Sequence, residues 1–289
     1  MSLEFPLVSV YIPTKNRRML LSKAITSVFE QSYPNIEIVV VDDGSTDDTF
    51  TFLTQLADKN KNVHVFKNEA SMGACAARNI AIKLAEGEFV TGLDDDDVFL
   101  PNRIESLVHA YDDKYAFVCS SMYWDYGSKK RLIDREETEI TLSQQLSYNE
   151  ATSQVLVKRS RVLSVGGFDE QFVACQDYDL WTRLLIKYGK AYRIAVPSYI
   201  INDTGSSERM ISNTNSVEGY LQFLNKHQDL MSNVNIKNQK FMRIRRCKER
   251  LSIFELFKQI GGGHFYSKFR YFLSSNFLLI SRLHKHYYK

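Results

Sequence analysis

Four consecutive aspartates, Asp94 to Asp97, follow the apolar segment 89–93. Adjacent carboxylates repel one another unless a cation neutralises them. In an extended segment alternate side chains share a face, so we expect Asp94 and Asp96 to point one way and Asp95 another. Two carboxylates on one side suit a hard divalent cation, Mg²⁺ or Mn²⁺, with substrate phosphates as its other ligands. The alternative for the whole tetrad is a turn or cap cluster ahead of the helix at Pro101, and it suits Asp97 best.

A second acidic pair, Asp42 and Asp43, ends the apolar run 36–41. A carboxylate accepts hydrogen bonds and a uracil ring offers an N–H edge, so one of the two could read the base of a nucleotide. Nothing in the sequence requires a second metal here. The alternative is capping of the following helix, although Ser45 or Asp47 could do that without Asp43.

These acidic residues are placed by an alternation of strand and helix patterns along the first hundred residues. Short apolar runs predict strands at 7–13, 36–41, 63–66 and 89–93, and apolar residues at helical spacing predict helices at 19–31, from 47 onward and at 74–85. Such alternation predicts an α/β fold in which helices flank a mostly parallel sheet. Ligands of such sheets bind beyond the carboxyl ends of the strands. Polar clusters at three strand ends, 14–17, 42–43 and 94–97, therefore favour a binding site over ordinary loop polarity.

The pattern is less regular beyond residue 100. Further elements are predicted from Pro101 to about 112 and at 117–123, 154–157, 177–188 and 192–196. Residues 124–150 are polar and irregular, which fits either an acceptor-side loop or a surface hairpin. We therefore predict one domain at 1–214, with a nucleotide-binding half at about 1–100 and an acceptor half at about 101–214, followed by a helical C-terminal region at 215–289.

The composition limits the class of protein. The 289 residues are 44% hydrophobic and 25% charged, which is ordinary for a folded protein and excludes general disorder. No apolar run reaches the roughly 18–20 residues of a membrane-spanning helix, and the first residues show no secretory signal pattern. Four scattered cysteines argue against a zinc site or a disulfide framework, so the expected location is the reducing cytoplasm.

Charge is unevenly distributed along the chain. Residues 215–289 hold 14 Lys and Arg against 4 Asp and Glu, whereas the remainder holds 23 against 30. Aromatic residues are interleaved with cations over 240–289, a composition that suits the face of an anionic membrane. The alternative is a tail helix packed on the domain or on a second subunit, which would form a homodimer. A basic aromatic tail would also suit nucleic acid, but nothing in the preceding core supports that partner, and none is expected.

Several motifs follow one another between residues 7 and 190. They are VSVYIPTKNR, IEIVVVDDGSTDDT, GACAARNIAIKLAEGEFVTGLDDDD followed by FLPNR, GGFDE and QDYDLWTRL. In these motifs the chain resembles the inverting nucleotide-sugar glycosyltransferases of family 2, which have the GT-A fold. The resemblance implies a UDP-sugar donor, Mn²⁺ or Mg²⁺ as cofactor, and inversion at the anomeric carbon. The QxxRW motif of the processive members is missing from the sequence, which implies transfer of a single sugar.

The resemblance also implies which residues bind the donor. The positions that hold the nucleotide base and ribose match Pro13, Thr14, Arg17 and Asp43. Arg78, in the motif AARN, matches a position that reaches the donor phosphates, and a helix-surface arginine is the alternative.

The stretch 94–97 resembles the DxD motif of the family. The resemblance implies that Asp94 and Asp96 bind the metal that bridges the donor diphosphate. Asp95 would then lie close to the ribose.

Gln176 and Asp177 resemble the family's Glu-Asp pair, whose aspartate is the catalytic base. Glutamine in the first position leaves the base in place but weakens any second acidic role. Asp177 would accept the proton of the acceptor hydroxyl as its oxygen attacks the anomeric carbon. A place near a helix N-terminus predicts a lowered pKa for Asp177, and a helix cap is the alternative role.

The sequence therefore predicts a metal-dependent inverting hexosyltransferase that acts on a glycan acceptor. The expected acceptor is a lipid-linked oligosaccharide or a precursor of lipopolysaccharide, capsule or O-antigen, at the inner face of a bacterial cytoplasmic membrane. Two alternatives stay open. A sugar nucleotidyltransferase would want a glycine in the loop 14–17, which has none, and a non-catalytic sugar-nucleotide or glycan-binding module would not need Asp177.

Overall fold

The computed structural model describes residues 5–152, 154–203, 213–259 and 262–277. Residues 278–289 of the basic, aromatic tail lie outside the described residues. Ten strands form one sheet within the described ranges. The strands are β1 (Val8–Thr14), β2 (Ile36–Asp42), β3 (Val63–Lys67), β4 (Phe89–Gly92), β5 (Val98–Phe99), β6 (Val118–Asp125), β7 (Lys130–Ile133), β8 (Thr138–Ile140), β9 (Leu156–Lys158) and β10 (Ala191–Asn202).

Helices connect and flank these strands. They are α1 (Arg18–Phe29), α2 (Thr49–Lys59), α3 (Ala74–Leu84), α4 (Arg103–Ala110), α5 (Leu142–Ser147), α6 (Arg159–Ser164), α7 (Gln176–Tyr188), α8 (Asn213–His227), α9 (Asn233–Arg246), α10 (Ile253–Lys258) and α11 (Phe265–Asn276). The elements predicted in the first hundred residues all form, with ends within a few residues of the expected positions.

The sheet has a parallel half and a mixed half. The strand order is β3-β2-β1-β4-β9-β6-β10-β5, with β7 paired to β6 and β8 to β10. The first four strands pair in parallel, as the strand–helix alternation predicts. Antiparallel pairs join β9 to β4 and to β6, whereas β6 and β10 are parallel. The predicted α/β sheet is therefore confirmed, and its parallel character is concentrated in the first hundred residues.

The central strands are nearly continuous apolar runs because helices cover both faces of the sheet. On one face Ile38 and its neighbours pack against Leu21 and Ile25 of α1. On the other face Val39 packs with residues of α3 and with Trp181 of α7. The core thus fixes β1, β2 and β4 side by side, with their carboxyl ends at one edge of the sheet.

Two segments differ from the sequence prediction. Residues 124–150, predicted to be irregular, contain β7, β8 and α5. The pattern was weak there because β7 pairs with one neighbour only and is partly exposed, so burial does not select for apolar side chains. The last strand continues past the predicted 192–196 to Asn202, because its second half pairs with both β6 and β5.

Helices α8 and α9, which follow β10, pack on α7 and α5. Phe223 of α8 stacks on Tyr178 of α7, with ring centroids 3.7 Å apart. The Gln239 amide of α9 donates to the Leu146 carbonyl at 2.6 Å and to the Tyr178 hydroxyl at 2.9 Å. In the part of the chain that the structure describes, no helix has the length and apolar character needed to cross a membrane.

Candidate active site

The predicted polar clusters meet at one edge of the sheet. The register pairs Thr14, the last residue of β1, with Asp42, the last residue of β2. The Asp43 amide donates to the Thr14 carbonyl at 2.8 Å, and the Leu93 amide donates to the Tyr11 carbonyl at 3.1 Å. The segments that follow β1, β2 and β4 therefore leave the sheet next to one another, as their places at parallel strand ends require.

The four aspartates form a tight turn. The Asp97 amide donates to the Asp94 carbonyl at 3.0 Å, which closes the backbone over Asp95 and Asp96. The extended geometry predicted for 94–97 is therefore wrong, and so is the expected separation of Asp95 from its neighbour. Arg17 Nη1 donates to Asp95 Oδ1 and to Asp96 Oδ2, at 3.0 Å each. One guanidinium thus serves two adjacent carboxylates, because the turn brings them to the same side.

Asp94 pairs with a different arginine. Arg78 Nη2 of α3 donates to Asp94 Oδ1 at 2.8 Å, and the Arg78 side chain is largely buried. The alternative of a helix-surface arginine is therefore wrong. Gln154 Nε2 donates weakly to the same oxygen at 3.4 Å. Gly92 permits this approach, because a Cβ there would lie 2.1 Å from Gln154 Oε1.

Asp97 joins the acidic turn to β10. The Tyr199 hydroxyl donates to Asp97 Oδ2 at 2.8 Å, and the Asn202 amide donates to Asp97 Oδ1 at 3.0 Å. Burial, with the charges of Asp94 and Asp96, raises the pKa of Asp97 well above its ordinary value. Asp97 is thus a structural acceptor, not the cap of the next helix that the sequence suggested.

Asp94 and Asp96 are the carboxylates that could hold a metal. Their side chains are 32% and 28% exposed, whereas that of Asp95 is 6% exposed. Within the described residues, Asp94 Oδ2 and Asp96 Oδ1 accept no hydrogen bond from another side chain. Burial and the charge of Asp94 raise the pKa of Asp96, so a cation would relieve a local excess of negative charge. No three His, Cys, Asp or Glu of the described residues gather as a complete ligand set, so a metal here would need ligands from a substrate.

Asp95 is fixed by the predicted base-and-ribose segment. Thr14 Oγ1 donates to Asp95 Oδ2 at 2.7 Å, opposite the Arg17 contact. Burial raises the pKa of Asp95 to about 6, although Thr14 and Arg17 both act to lower it. Pro13 lies buried in β1, paired with Val41, one residue before Thr14.

Asp43 holds the loop 68–73, which leads into α3. Its two oxygens accept four hydrogen bonds from this loop, donated by Asn68 Nδ2, Ser71 Oγ, Met72 N and Gly73 N at 2.6–2.9 Å. Burial alone would raise the pKa of Asp43, but these donors hold it below its ordinary value. Asp43 does not cap α2, since Asp47 Oδ1 accepts the Thr49 amide at 3.0 Å instead. A nucleotide base that binds Asp43 would have to replace one of the loop donors.

Asp177 lies in the first turn of α7 and is oriented by Asn149. Asn149 Nδ2 donates to Asp177 Oδ2 at 3.1 Å and to the Thr152 carbonyl at 3.1 Å. Burial raises the pKa of Asp177 to about 6, against the opposing effects of the Tyr178 amide and Arg78. The predicted lowering is therefore wrong, because desolvation of the carboxylate outweighs the helix N-terminus. Gln176, its neighbour, directs Nε2 to the Phe172 carbonyl at 3.4 Å and supplies no second acid.

Asp177 belongs to the same electrostatic neighbourhood as the acidic turn. The charges of Arg78 and Asp94 both act on the pKa of Asp177. The charges of Arg78, Asp94 and Asp177 also act on the pKa of the buried Tyr11 hydroxyl. The structure therefore brings together Thr14, Arg17, Arg78, Asp94, Asp95, Asp96 and Asp177, while Asp43 lies one strand away beside Thr14.

Five further polar residues were missed by the sequence analysis. They are Tyr11, Asn149, Gln154, Tyr199 and Asn202. Tyr11 lies within the motif VSVYIPTKNR, and its hydroxyl donates to Gln154 Oε1 at 3.3 Å. The other four contact a site residue, or a neighbour of one, from a distant part of the chain, so no short-range motif marks them. Arg103, within the motif FLPNR, contacts two of them, Gln154 and Tyr199. Its Nη2 donates to the Gln154 carbonyl at 3.0 Å, and its guanidinium lies 4.9 Å from the centroid of the Tyr199 ring.

Comparison with known proteins identifies relatives of the chain. Residues 9–167 match the family described as "Glycosyl transferase family 2". The chain is 32% identical over 248 residues to the putative colanic acid biosynthesis glycosyl transferase WcaA of Escherichia coli K12, covering 82% of this chain and 86% of the relative. It is also 32% identical over 189 residues to the Escherichia coli UDP-Glc:alpha-D-GlcNAc-diphosphoundecaprenol beta-1,3-glucosyltransferase WfaP, covering 64% and 72%.

Two solved structures have a similar fold. S. aureus TarS (residues 1–349), in complex with UDP-GlcNAc, superposes with a TM-score of 0.67 at 21% identity, covering 96% of this chain and 83% of TarS. The mannosyltransferase PcManGT from Pyrobaculum calidifontis, in complex with GDP-Man and Mn²⁺, superposes with a TM-score of 0.58 at 17% identity, covering 94% and 74%. At these identities the likeness concerns the fold alone.

Proposed function

The chain belongs to glycosyl transferase family 2, an enzyme family, and from this we propose that it moves one hexose from a UDP-sugar to a hydroxyl of a glycan acceptor. The family and the GT-A fold predicted from the sequence are confirmed. Donor, metal, stereochemistry and acceptor are parts of the proposal, and each has its own support. The reaction proposed is a single displacement at the anomeric carbon with inversion of configuration.

The donor is proposed to bind across the ends of β1 and β2. Pro13, Thr14 and Arg17 line the first strand end, and Asp43 lies beside them after the second. Asp43 is held ionised by hydrogen-bond donors, so a uracil N–H could replace one of them with little rearrangement. A structural neighbour of the chain is known in complex with UDP-GlcNAc, which is consistent with such a donor.

The metal is proposed to bind Asp94 and Asp96. Their exposed oxygens are hard ligands of the kind that Mg²⁺ and Mn²⁺ prefer. A bound divalent ion supplies charge stabilisation to the diphosphate that leaves with the nucleoside. Arg17 and Arg78 pair with carboxylates of the same turn, which supports a role for two guanidinium groups near the negative charge that would develop on the diphosphate.

Asp177 is proposed as the general base. It accepts the proton of the acceptor hydroxyl, whose oxygen then forms the new bond to the anomeric carbon as the bond to the diphosphate breaks. A pKa of about 6 suits this role, because the carboxylate is ionised near neutral pH and is more basic than an ordinary aspartate. Asn149 holds one oxygen of the carboxylate, which restricts its orientation toward the hydroxyl.

The acceptor is proposed to be a lipid-linked oligosaccharide or a precursor of lipopolysaccharide, capsule or O-antigen. The names of the two curated relatives support this class, since one is assigned to colanic acid biosynthesis and the other to a diphosphoundecaprenol acceptor. The enzyme would then work in the cytoplasm at the inner face of a bacterial membrane, with residues 240–289 as the part that approaches the lipid.

One observation carries the proposal. A carboxylate of raised basicity, Asp177, lies in electrostatic contact with the Arg78–Asp94 pair at the strand ends of a GT-A sheet. A nucleotide-binding module would need the strand ends but would have no use for a base beside them. A nucleotidyltransferase would need phosphate-binding backbone in the loop 14–17, where Thr14 and Arg17 instead hold Asp95.

The test is a donor panel with the purified chain. UDP-hexoses are incubated with Mn²⁺ and short lipid-linked acceptors, and released UDP and product linkage are measured for the wild type, Asp177→Asn and the matched control Asp58→Asn on the exposed face of α2. We expect UDP release and an inverted linkage with the wild type and the control only. Pyrophosphate release from a nucleoside triphosphate would establish the nucleotidyltransferase, and donor binding without turnover on any acceptor would establish the binding module.

A further inference from the structure

Helix α11 buries its lysine and exposes three of its five aromatic residues. Lys268 is 1% exposed, whereas Phe265, Tyr266 and Phe269 are 52%, 76% and 40% exposed. A helix on the surface of a protein in water normally has the reverse arrangement. The inverted burial of α11 leaves an apolar outer face of the kind that an apolar medium would cover.

Polar contacts on the inner face fix this orientation. Lys268 Nζ donates to Asn238 Oδ1 of α9 at 2.8 Å and to the Gln259 carbonyl at 3.2 Å. At the other end of α11, the Asn276 amide donates to the Leu251 carbonyl at 2.8 Å. Rotation of α11 to hide its aromatic rings would bring a buried ammonium out of these contacts and leave their acceptors unpaired. These polar contacts on the inner face therefore keep the exposed rings on the outer face of α11.

Phe265, Phe269 and Phe277, the last at the C-cap of α11, are 40–52% exposed, and they are joined in one row by the partly buried ring of Phe272, which packs on the cluster of Phe241 and Leu256. Phe265 and Phe269 have ring centroids 5.9 Å apart, Phe269 and Phe272 are 6.4 Å apart, and Phe272 and Phe277 are 6.5 Å apart. We call these four residues the aromatic ridge. The neighbouring helix α10 also exposes two phenylalanines, Phe254 and Phe257. Exposed apolar surface that is concentrated in this way marks an interaction site rather than ordinary surface composition.

The charge of the segment that contains the ridge favours an anionic partner, even with the buried Lys268 set aside. Residues 237–277 hold ten Lys and Arg against two glutamates, Glu249 and Glu255. Glu255 is engaged within its own helix, where it accepts from Ser252 in a capping box. A second copy of the chain would bring like charges together across a symmetric contact. An anionic lipid surface would instead receive the rings in its interfacial layer and the cations at its headgroups.

We propose that the aromatic ridge of α11 inserts into the interfacial layer of an anionic phospholipid bilayer, with Lys268 as the internal anchor that keeps the rings outward. This inference deepens the proposed function, on which its choice of a cytoplasmic membrane face rests. It assigns the contact to a defined face of one helix, held on α9 by Asn238, and not to the basic composition of the region as a whole.

Vesicle sedimentation of the full chain tests the inference without donor or acceptor. Vesicles of phosphatidylglycerol and phosphatidylethanolamine are compared with vesicles of phosphatidylcholine alone. We expect binding to the anionic vesicles, with a loss of about tenfold or more for the double variant Phe265→Ser/Phe269→Ser. The matched control, Phe66→Ser/Ile186→Ser, removes two exposed apolar residues from β3 and α7 and is expected to bind as the wild type does.

A second measurement is independent of any loss of folding. Phe269→Trp places an indole in the ridge, and its emission, after subtraction of the wild-type spectrum, is expected to shift to the blue on anionic vesicles and to be quenched by brominated lipid. Equal sedimentation of the ridge variant and the control would overturn the proposal, as would equal binding to neutral vesicles. A concentration-dependent dimer that is lost in Phe265→Ser/Phe269→Ser would overturn it in favour of a second copy.

The outcome is separable from that of the proposed function. Turnover and UDP affinity are measured on the same preparations with a detergent-solubilised acceptor. Turnover without vesicle binding by the wild type would reject the membrane contact alone. Vesicle binding that depends on the ridge, without turnover on any acceptor, would reject the proposed function alone.

Discussion

Two regions of the molecule carry more charge of one sign than the described residues around them neutralise, and they do so in different forms. At the strand ends, four carboxylates gather in one turn against two guanidinium groups, those of Arg17 and Arg78. In residues 237–277, ten cations spread over helices and loops against two glutamates. The first excess is compact and largely buried, and the second is broad and largely exposed.

The form of each excess indicates the form of the missing partner. Burial raises the pKa of Asp95 and Asp96, so the acidic turn is under electrostatic strain that a small cation can relieve. The cations of the C-terminal helices accompany exposed rings instead, which matches a flat surface with anionic headgroups and an apolar interior. A point-like ligand and an extended one are thus predicted from the same kind of imbalance.

Removal of a carboxylate from the compact excess is expected to have the largest effect. Asp96→Ala should reduce metal-dependent turnover by about 10³-fold or more, because a bound metal supplies several kcal/mol of charge stabilisation. Manganese binding, measured from the free-ion electron paramagnetic resonance signal, should fall in parallel. Asp58→Ala on α2 is the control. Full activity of Asp96→Ala in the presence of EDTA would separate the acidic turn from any metal.

Substitution of the base should have the next largest effect. Asp177→Asn keeps the size of the side chain but cannot accept the proton, so kcat is expected to fall by about 10² to 10⁴. The dissociation constant of the UDP-sugar, measured by calorimetry, should change little because the role proposed for Asp177 is at the acceptor hydroxyl and not at the donor. An unchanged kcat would remove Asp177 from the mechanism.

The pH dependence should show which carboxylate limits the rate. Asp177 must be deprotonated to act, and its pKa is raised to about 6, so kcat/KM should fall by about tenfold per pH unit below that value. Asp95 has a pKa raised to a similar value and could contribute to the same fall of kcat/KM, the acidic limb of the pH profile. An Asp95→Asn variant that retains the limb assigns it to Asp177, and one that loses the limb contradicts the assignment.

The smallest expected effect is on stability. The folded state binds the proton of Asp177 more tightly than the unfolded chain does, so the ionised form lowers stability at neutral pH and stability returns as the pH falls through about 6. Asp177→Asn should therefore unfold about 2 °C higher than the wild type at about pH 7.5 without metal. The difference should vanish near pH 4. A lower midpoint at neutral pH would show that Asn149 stabilises the ionised form by more than burial disfavours it.

The fold was predictable where the chain is buried on both sides. Runs such as IEIVVV indicate strands because only a covered sheet selects for them, and the acidic residues after them fall at the predicted edge. The geometry of the acidic turn was not predictable in this way. Its shape depends on Tyr199 and Asn202, which arrive from a strand about a hundred residues further along the chain.

The chemistry of Asp177 shows the same limit. Sequence indicates its helix and its place in the first turn, from which a lowered pKa follows. The raised value arises from burial by segments that are remote in sequence, including the one that contributes Asn149. The orientation of α11 is a third case, since FYSKFRYF places both aromatic and basic residues at helical spacing. Which face turns inward is decided by Asn238 and Gln259, the acceptors for Lys268.

The four hydrogen bonds at Asp43 have a consequence for how occupancy of the donor site could be followed. Two of the four donors are the backbone amides of Met72 and Gly73. If a nucleotide base forms a hydrogen bond with this carboxylate, it displaces one of the four donors. Each of the two amides then either loses its hydrogen bond to Asp43 or keeps it, according to which donor is displaced. Deuterium uptake at the two amides would then report the arrival of the donor from a position that takes no part in the transfer itself.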